Sequence, residues 1–182
     1  MIAIADRVLG LAQVRRWVKA GRVFAVVDAC DTPSVPARAR DLGPDLAVSL
    51  YRGGAEEDLS AIAPYLFRLD EASFRWITED LWATPWGILA VSDADLTTVR
   101  THFRRFLTVE SPSGEPWYFR FYDPRVLPKF LSVSTEAEVA ELFGPIRAFG
   151  VTDPASYGVR ILTRRAETTA PLSSPKIRVV RE

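Results

Sequence analysis

One histidine and one cysteine limit the chemistry open to this chain. A zinc or iron–sulfur centre draws three or four ligands from His, Cys and carboxylates, and His102 with Cys30 falls short of that set. An all-carboxylate magnesium or calcium site stays open in principle, but no EF-hand-like run is present. The expectation is therefore no metal and no cofactor. His102 lies at the edge of an apolar stripe, between Val99 and Phe106. With no Gly-x-Ser-x-Gly elbow to pair with it, it reads as a boundary histidine holding one hydrogen-bond partner. A Walker lysine loop and a Gly-x-Gly-x-x-Gly turn are both absent, and Gly53-Gly54 reads as a simple turn. Glu56-Glu57-Asp58 opens a short helical turn, where negative charge meets the helix dipole favourably. Cys30 follows the apolar run Val26-Val27-Asp28-Ala29 and is expected to be a buried, inert thiol. Trp76, Trp82 and Trp86 sit among periodic apolar residues and are expected in the core.

One segment resists so plain a reading: Arg120-Phe121-Tyr122-Asp123-Pro124-Arg125. A charged side chain on a covered strand is costly to bury unless it is paired. Asp123 is near enough to accept the guanidinium fork of Arg120 or Arg125. It can also cap a following helix, with Pro124 as first helical residue. The alternative role is an arginine projecting from this junction into a partner's groove. Arg120, Tyr122, Asp123 and Arg125 are the candidate partner-binding residues, and no catalytic residue is assigned.

The elements that position these groups follow from periodicity. A helix is expected from about 6 to 20, with Val8, Leu11, Val14 and Val18 on one face. Val23–Val27 is a continuous apolar run, as in a strand covered on both sides. A short helix over 32–41 has Thr32 as cap and Pro33 at its first position. Strands are expected at 46–51, 64–69 and 86–91, and Asp70 caps a helix reaching Trp82. Ser92 is expected to open the next helix, with Asp95 completing a capping box. That helix buries Leu96, Val99, Phe103 and Phe106 and turns Arg100, Arg104 and Arg105 away. A hairpin follows, with 107–109 turning through Ser111-Pro112-Ser113-Gly114 into a strand from Trp117 to Tyr122. That returning strand, aromatic on both faces, is expected to be covered on each. A helix runs to Leu131, another spans 136–143 behind Thr135, and strands at 146–151 and 157–162 close the pattern. The fold class is α/β, with a mixed central sheet flanked by helices and a short C-terminal extension. Residues 1–150 form the main domain, and 151–182 a strand-like segment with a basic tail.

At 182 residues and 48% apolar content the chain can bury one core without disulfides or metal. No apolar run reaches the ~18 residues of a membrane span, and the first residues lack a signal peptide's pattern, so a reducing cytoplasm is expected. Formal net charge is zero, yet residues 156–182 hold six basic and two acidic side chains, a net of +4 against −4 for the rest. Such an end is either a solvated tail or a contact for nucleic acid, a membrane or an acidic partner.

With these segments in place, the chain resembles the type VI secretion effector chaperone/adaptor family, DUF4123. Matching blocks run in the family's order: Val23–Ala29, Val48–Gly53, Ala63–Leu66, Pro85–Leu89, the Leu96–Leu107 helix, Phe119–Leu127 and Phe143–Ile146. The resemblance covers roughly residues 20–148. It implies a non-catalytic cytoplasmic protein that holds a secreted effector and delivers it to the VgrG spike, with no nucleic-acid or membrane partner. Relatives often continue into a longer helical C-terminal lobe, whereas only about 34 residues follow the last block here. Two other classes stand beside this reading. One is a small hydrolase-like enzyme using carboxylates or His102. The other is a nucleic-acid binder using the arginine-rich helix and the tail.

Overall fold

The computed structural model describes residues 4–30, 32–51, 53, 59–111, 113–153, 157–164 and 178–179. Its centre is β2 (Val23–Asp28), every residue of which is buried. Successive side chains of a strand point to opposite faces. Val23, Ala25 and Val27 therefore enter one core, and Phe24 and Val26 the other. The sheet around it has seven strands: β1 (Ile4–Gly10), β3 (Ala47–Ser49), β4 (Pro64–Arg68), β5 (Gly87–Val91), β8 (Ala148–Asp153) and β9 (Gly158–Arg164) join β2 in the order β1-β9-β8-β5-β2-β4-β3. The α/β class and the helix-flanked central sheet are as the sequence implies. Every pairing is antiparallel, which replaces the expected mixed sheet. The continuous apolar run of β2 reports burial on both faces, and burial alone does not fix strand direction.

One core is closed by α1 (Leu11–Lys19), α2 (Ser34–Leu42) and α3 (Glu71–Trp76), which runs on into a π-turn at Ile77–Leu81. Trp82 and Trp86 are buried there and Trp76 packs at its edge, as expected. The other core takes α4 (Leu96–Arg104), the 119–122 segment, α5 (Leu127–Val133) and α6 (Glu136–Phe143). A small sheet, β10 (Arg178–Val179) with β6 (Thr108–Glu110) and β7 (Pro116–Tyr118), extends from α4. β8 crosses position 150, and β9 lies inside the main sheet between β1 and β8.

Several boundaries differ from the sequence reading. The first third of the expected 6–20 helix belongs to the edge strand β1, paired with β9 over Ile4–Gly10. A partner some 150 residues away overrode the local helical pattern, leaving Val8 52% exposed. Pro33, not Thr32, holds the N-cap position of α2, without a side-chain cap bond. Asp95, not Ser92, caps α4 by accepting from the Thr98 N–H at 2.7 Å. Ser92 instead donates to the Pro145 carbonyl at 2.8 Å. Asp70 and Thr135 cap their helices as expected, each in a reciprocal capping box. The acidic run 56–58, Gly54 and the tail outside 178–179 lie outside the described residues.

His102 is buried, with Nε2 at 2.8 Å from the Leu142 carbonyl and its ring against Phe103 and Phe106. Burial pushes its pKa below the ordinary value, although the Leu142 bond opposes that shift. Arg105 and Glu141 are the charged groups that act on it. The unfolded chain therefore binds this proton more readily than the folded one. Stability is full above the unfolded value near 6.5 and falls as pH drops through it toward the lower folded value. As the chain has a single histidine, the urea midpoint should decline as pH drops below about 6.5. A His102→Gln variant should lose that slope.

Candidate protein-binding site

The Arg120–Arg125 segment leaves the small sheet just after β7 and enters the second core. Phe121 and Tyr122 are buried, whereas Arg120 and Arg125 point outward, their side chains 43% and 65% exposed. Phe121 stacks among Phe103, Phe106, Phe119 and Tyr122, so aromatic packing fixes the backbone that presents both arginines. Arg125 binds Asp123 through its fork, Nε to Oδ1 at 2.9 Å and Nη2 to Oδ2 at 2.6 Å. The Arg125 N–H adds a third bond at 2.8 Å. Burial raises the Asp123 pKa, but these hydrogen bonds outweigh it and hold the carboxyl below its ordinary value. Asp123 thus pairs with Arg125 as expected. It does not cap the following helix: α5 begins at Leu127, and Asp123 closes the preceding turn through its carbonyl, which accepts from the Val126 and Leu127 N–H groups.

Arg120 pairs with Asp28, 92 residues away, rather than with Asp123. Asp28 ends β2 with its side chain only 8% exposed, and also accepts from the Cys30 N–H at 3.0 Å. The Arg120 guanidinium lies 6.0 Å from the Tyr122 ring centre. Burial, with the nearby Asp28 charge, raises the Tyr122 pKa and, more mildly, that of Tyr51. Both phenols stay neutral at physiological pH. Tyr51 meets Tyr118 with ring centres 6.5 Å apart. Cys30 is exposed beside this cluster, contrary to the buried thiol expected, because the chain turns outward after Asp28.

The returning strand is also less covered than its pattern implies. β7 ends at Tyr118 and among the described residues pairs only with β6, with Trp117 56% and Tyr118 73% exposed. Phe119, the next residue, lines an open groove of about 610 Å³ together with Asp123, Arg125, Val126, Lys129, Phe130 and Val133. Phe119 and Phe130 form its aromatic floor, with ring centres 4.7 Å apart.

The four sequence-derived candidates therefore divide. Asp123 and Arg125 line the groove, Arg120 sits in the Asp28–tyrosine cluster, and Tyr122 belongs to the core. Sequence reasoning missed Asp28, Tyr51, Val126, Lys129, Phe130 and Val133. The signal for Asp28 was a carboxylate closing a fully apolar strand, which demands a partner. For the groove it was a second apolar stripe on α5, Val126, Phe130 and Val133 at i, i+4 and i+7, beside the buried Leu127 and Leu131.

The arginines of α4 are engaged structurally. Arg100 donates to the Ser49 carbonyl at 3.0 Å, and Arg104 to those of Leu50 and Tyr51 at 2.9 and 2.5 Å. Together they cover the outer end of edge strand β3, a position otherwise open to further strand pairing. Arg105 pairs with Glu141 at 3.0 Å.

A family model described as a domain of unknown function, DUF4123, matches residues 23–141. The chain belongs to that family. The match spans β2 through most of α6 and includes both the Asp28–Arg120 pair and the α5 groove. No curated protein and no solved structure matches the chain. Among the described residues, no group of three or more His, Cys, Asp or Glu could hold a metal, and no helix is long and apolar enough to cross a membrane.

Proposed function

We propose that this DUF4123 protein is a non-catalytic cytoplasmic adaptor that holds a type VI secretion effector and helps load it onto the VgrG spike. The observation that carries the reading is a chain segment on which exposed Trp117 and Tyr118 are followed directly by Phe119, which lines an open groove with an aromatic floor. Aromatic and arginine side chains dominate the energetics of protein interfaces. Here Trp117, Tyr118, Arg120 and Arg125 stand on one stretch of chain. Phe121 and the two aspartates brace that stretch from below, so little ordering entropy is lost on binding.

The test is co-expression with the effector encoded beside this gene and with its spike, followed by capture at moderate salt. Trp117→Ala and Tyr118→Ala should each weaken effector capture by roughly thirtyfold, the effect of a ~2 kcal/mol hot spot. Melting temperature should stay near wild type, because both side chains are exposed. Recovery of neither effector nor spike by the wild-type chain would reject the reading.

A further inference from the structure

We infer that the α5 groove takes an acidic, amphipathic segment of the cargo, docked as a helix whose apolar face meets Phe119, Phe130 and Val133. This deepens the adaptor reading and rests on it. A short surface helix normally turns one apolar stripe inward and its polar face to water. α5 does the first with Leu127 and Leu131, but its outward face repeats the apolar spacing through Val126, Phe130 and Val133, the last 68% exposed. Apolar residues at i, i+4 and i+7 on an open face are complementary to a second helix laid along the groove.

Charge selects the occupant. Lys129 lines the groove at one side of the stripe, and no ion pair engages it among the described residues. Arg125 stands at the groove's end. The one carboxylate in the lining, Asp123, is already held by Arg125 through both oxygens. The groove thus offers an apolar floor with a net positive rim, matched by Leu or Phe at helical spacing flanked by Asp or Glu. A second copy meeting this one groove to groove would set Lys129 against Lys129, a like-charge contact. The chain's own residues 165–177 carry two cations against one carboxylate and match the rim no better.

The probe is the effector encoded beside this gene, used whole and as 15-residue peptides tiling its length. Lys129→Glu and Val133→Asp should each weaken capture of the whole effector by at least tenfold, with an unchanged thermal melt. The peptides retained by the wild-type chain should be net negative, with apolar residues at i and i+3 or i+4. Replacing their acidic residues by Lys should restore binding to the Lys129→Glu protein. If both variants capture the effector as wild type does, or if the retained peptides are basic, the groove assignment is overturned. Loss in Trp117→Ala would then leave the adaptor function standing. If the wild-type chain captures no effector at all, the function and the groove assignment fall together.

Discussion

Gly87→Ala should leave almost no folded protein. Gly87 opens β5 opposite Val27, with φ at 151°. A Cβ placed there would lie 1.9 Å from the Val26 carbonyl oxygen and 2.9 Å from its carbon. Both atoms are backbone of β2, so no rotamer change relieves the overlap. β2 is held by β4 on one side and β5 on the other, and it supplies both cores. The clash can end only by parting β5 from β2, which gives up ladder bonds and packing together. The cost should exceed about 4 kcal/mol, the range kept for exceptional substitutions, against a total stability of roughly 5–15 kcal/mol. Gly43→Ala separates the two contributions. It also has positive φ, at 78°, but nothing lies within 4 Å of its added Cβ, so it should cost only the ~1–3 kcal/mol of backbone strain. Soluble yield and the thermal melt of the two variants provide the check. A cooperative Gly87→Ala melt within a few degrees of wild type would refute this account of the strand contact.

That contact also bears on the candidate site. The Asp28 N–H donates to the Trp86 carbonyl at 2.8 Å, immediately before Gly87. The β2–β5 register therefore fixes where the Asp28 carboxylate stands, and with it where Arg120 is anchored.

Local sequence made some elements legible and long-range pairing hid others. Asp70 and Thr135 were readable as caps because each is a cap-favouring residue directly before a helical segment. The buried strands β2 and β5 were readable because apolar runs of that length report burial. β1 was not, since its strand state depends on β9, and its Val8, Leu11, Val14, Val18 pattern is also a sound helical face. The same divide runs through the site. Asp123 with Arg125 is an i, i+2 pair and was legible. Asp28 with Arg120 spans 92 residues, and one sequence offers no means of choosing among distant cations. Trp117 and Tyr118 misled because an aromatic strand reads equally as doubly buried or as a binding face. Only the position of β7 at the edge of its small sheet decides between them.

Arg120→Ala is expected to cost more stability than Asp28→Asn, about 2–3 kcal/mol against about 1 kcal/mol. Without Arg120 the Asp28 carboxylate, 8% exposed, keeps the Cys30 N–H as its bond and has no opposing charge paired with it among the described residues. Removing one partner of a fully buried pair costs about 3–5 kcal/mol. The Arg120 side chain is 43% exposed, so water screens the interaction and the lower end of the range or less applies. Asp28→Asn keeps an acceptor for the Cys30 N–H and leaves Arg120 half in water beside the Tyr122 ring, at the cost of about one hydrogen bond. If the two groups act as a pair, the double variant should fall short of the summed single losses by about 1–2 kcal/mol. Urea midpoints of the four proteins measure this directly, and additive losses would show that the pair is uncoupled. The outcome also decides what Arg120 does for a partner. A destabilised Arg120→Ala protein that loses cargo loses it through a displaced 119–123 segment. Arg120→Lys, which keeps the charge but not the fork, should then recover binding only as far as it recovers stability. An Arg120→Ala protein as stable as wild type that still loses cargo would place the guanidinium in the interface itself.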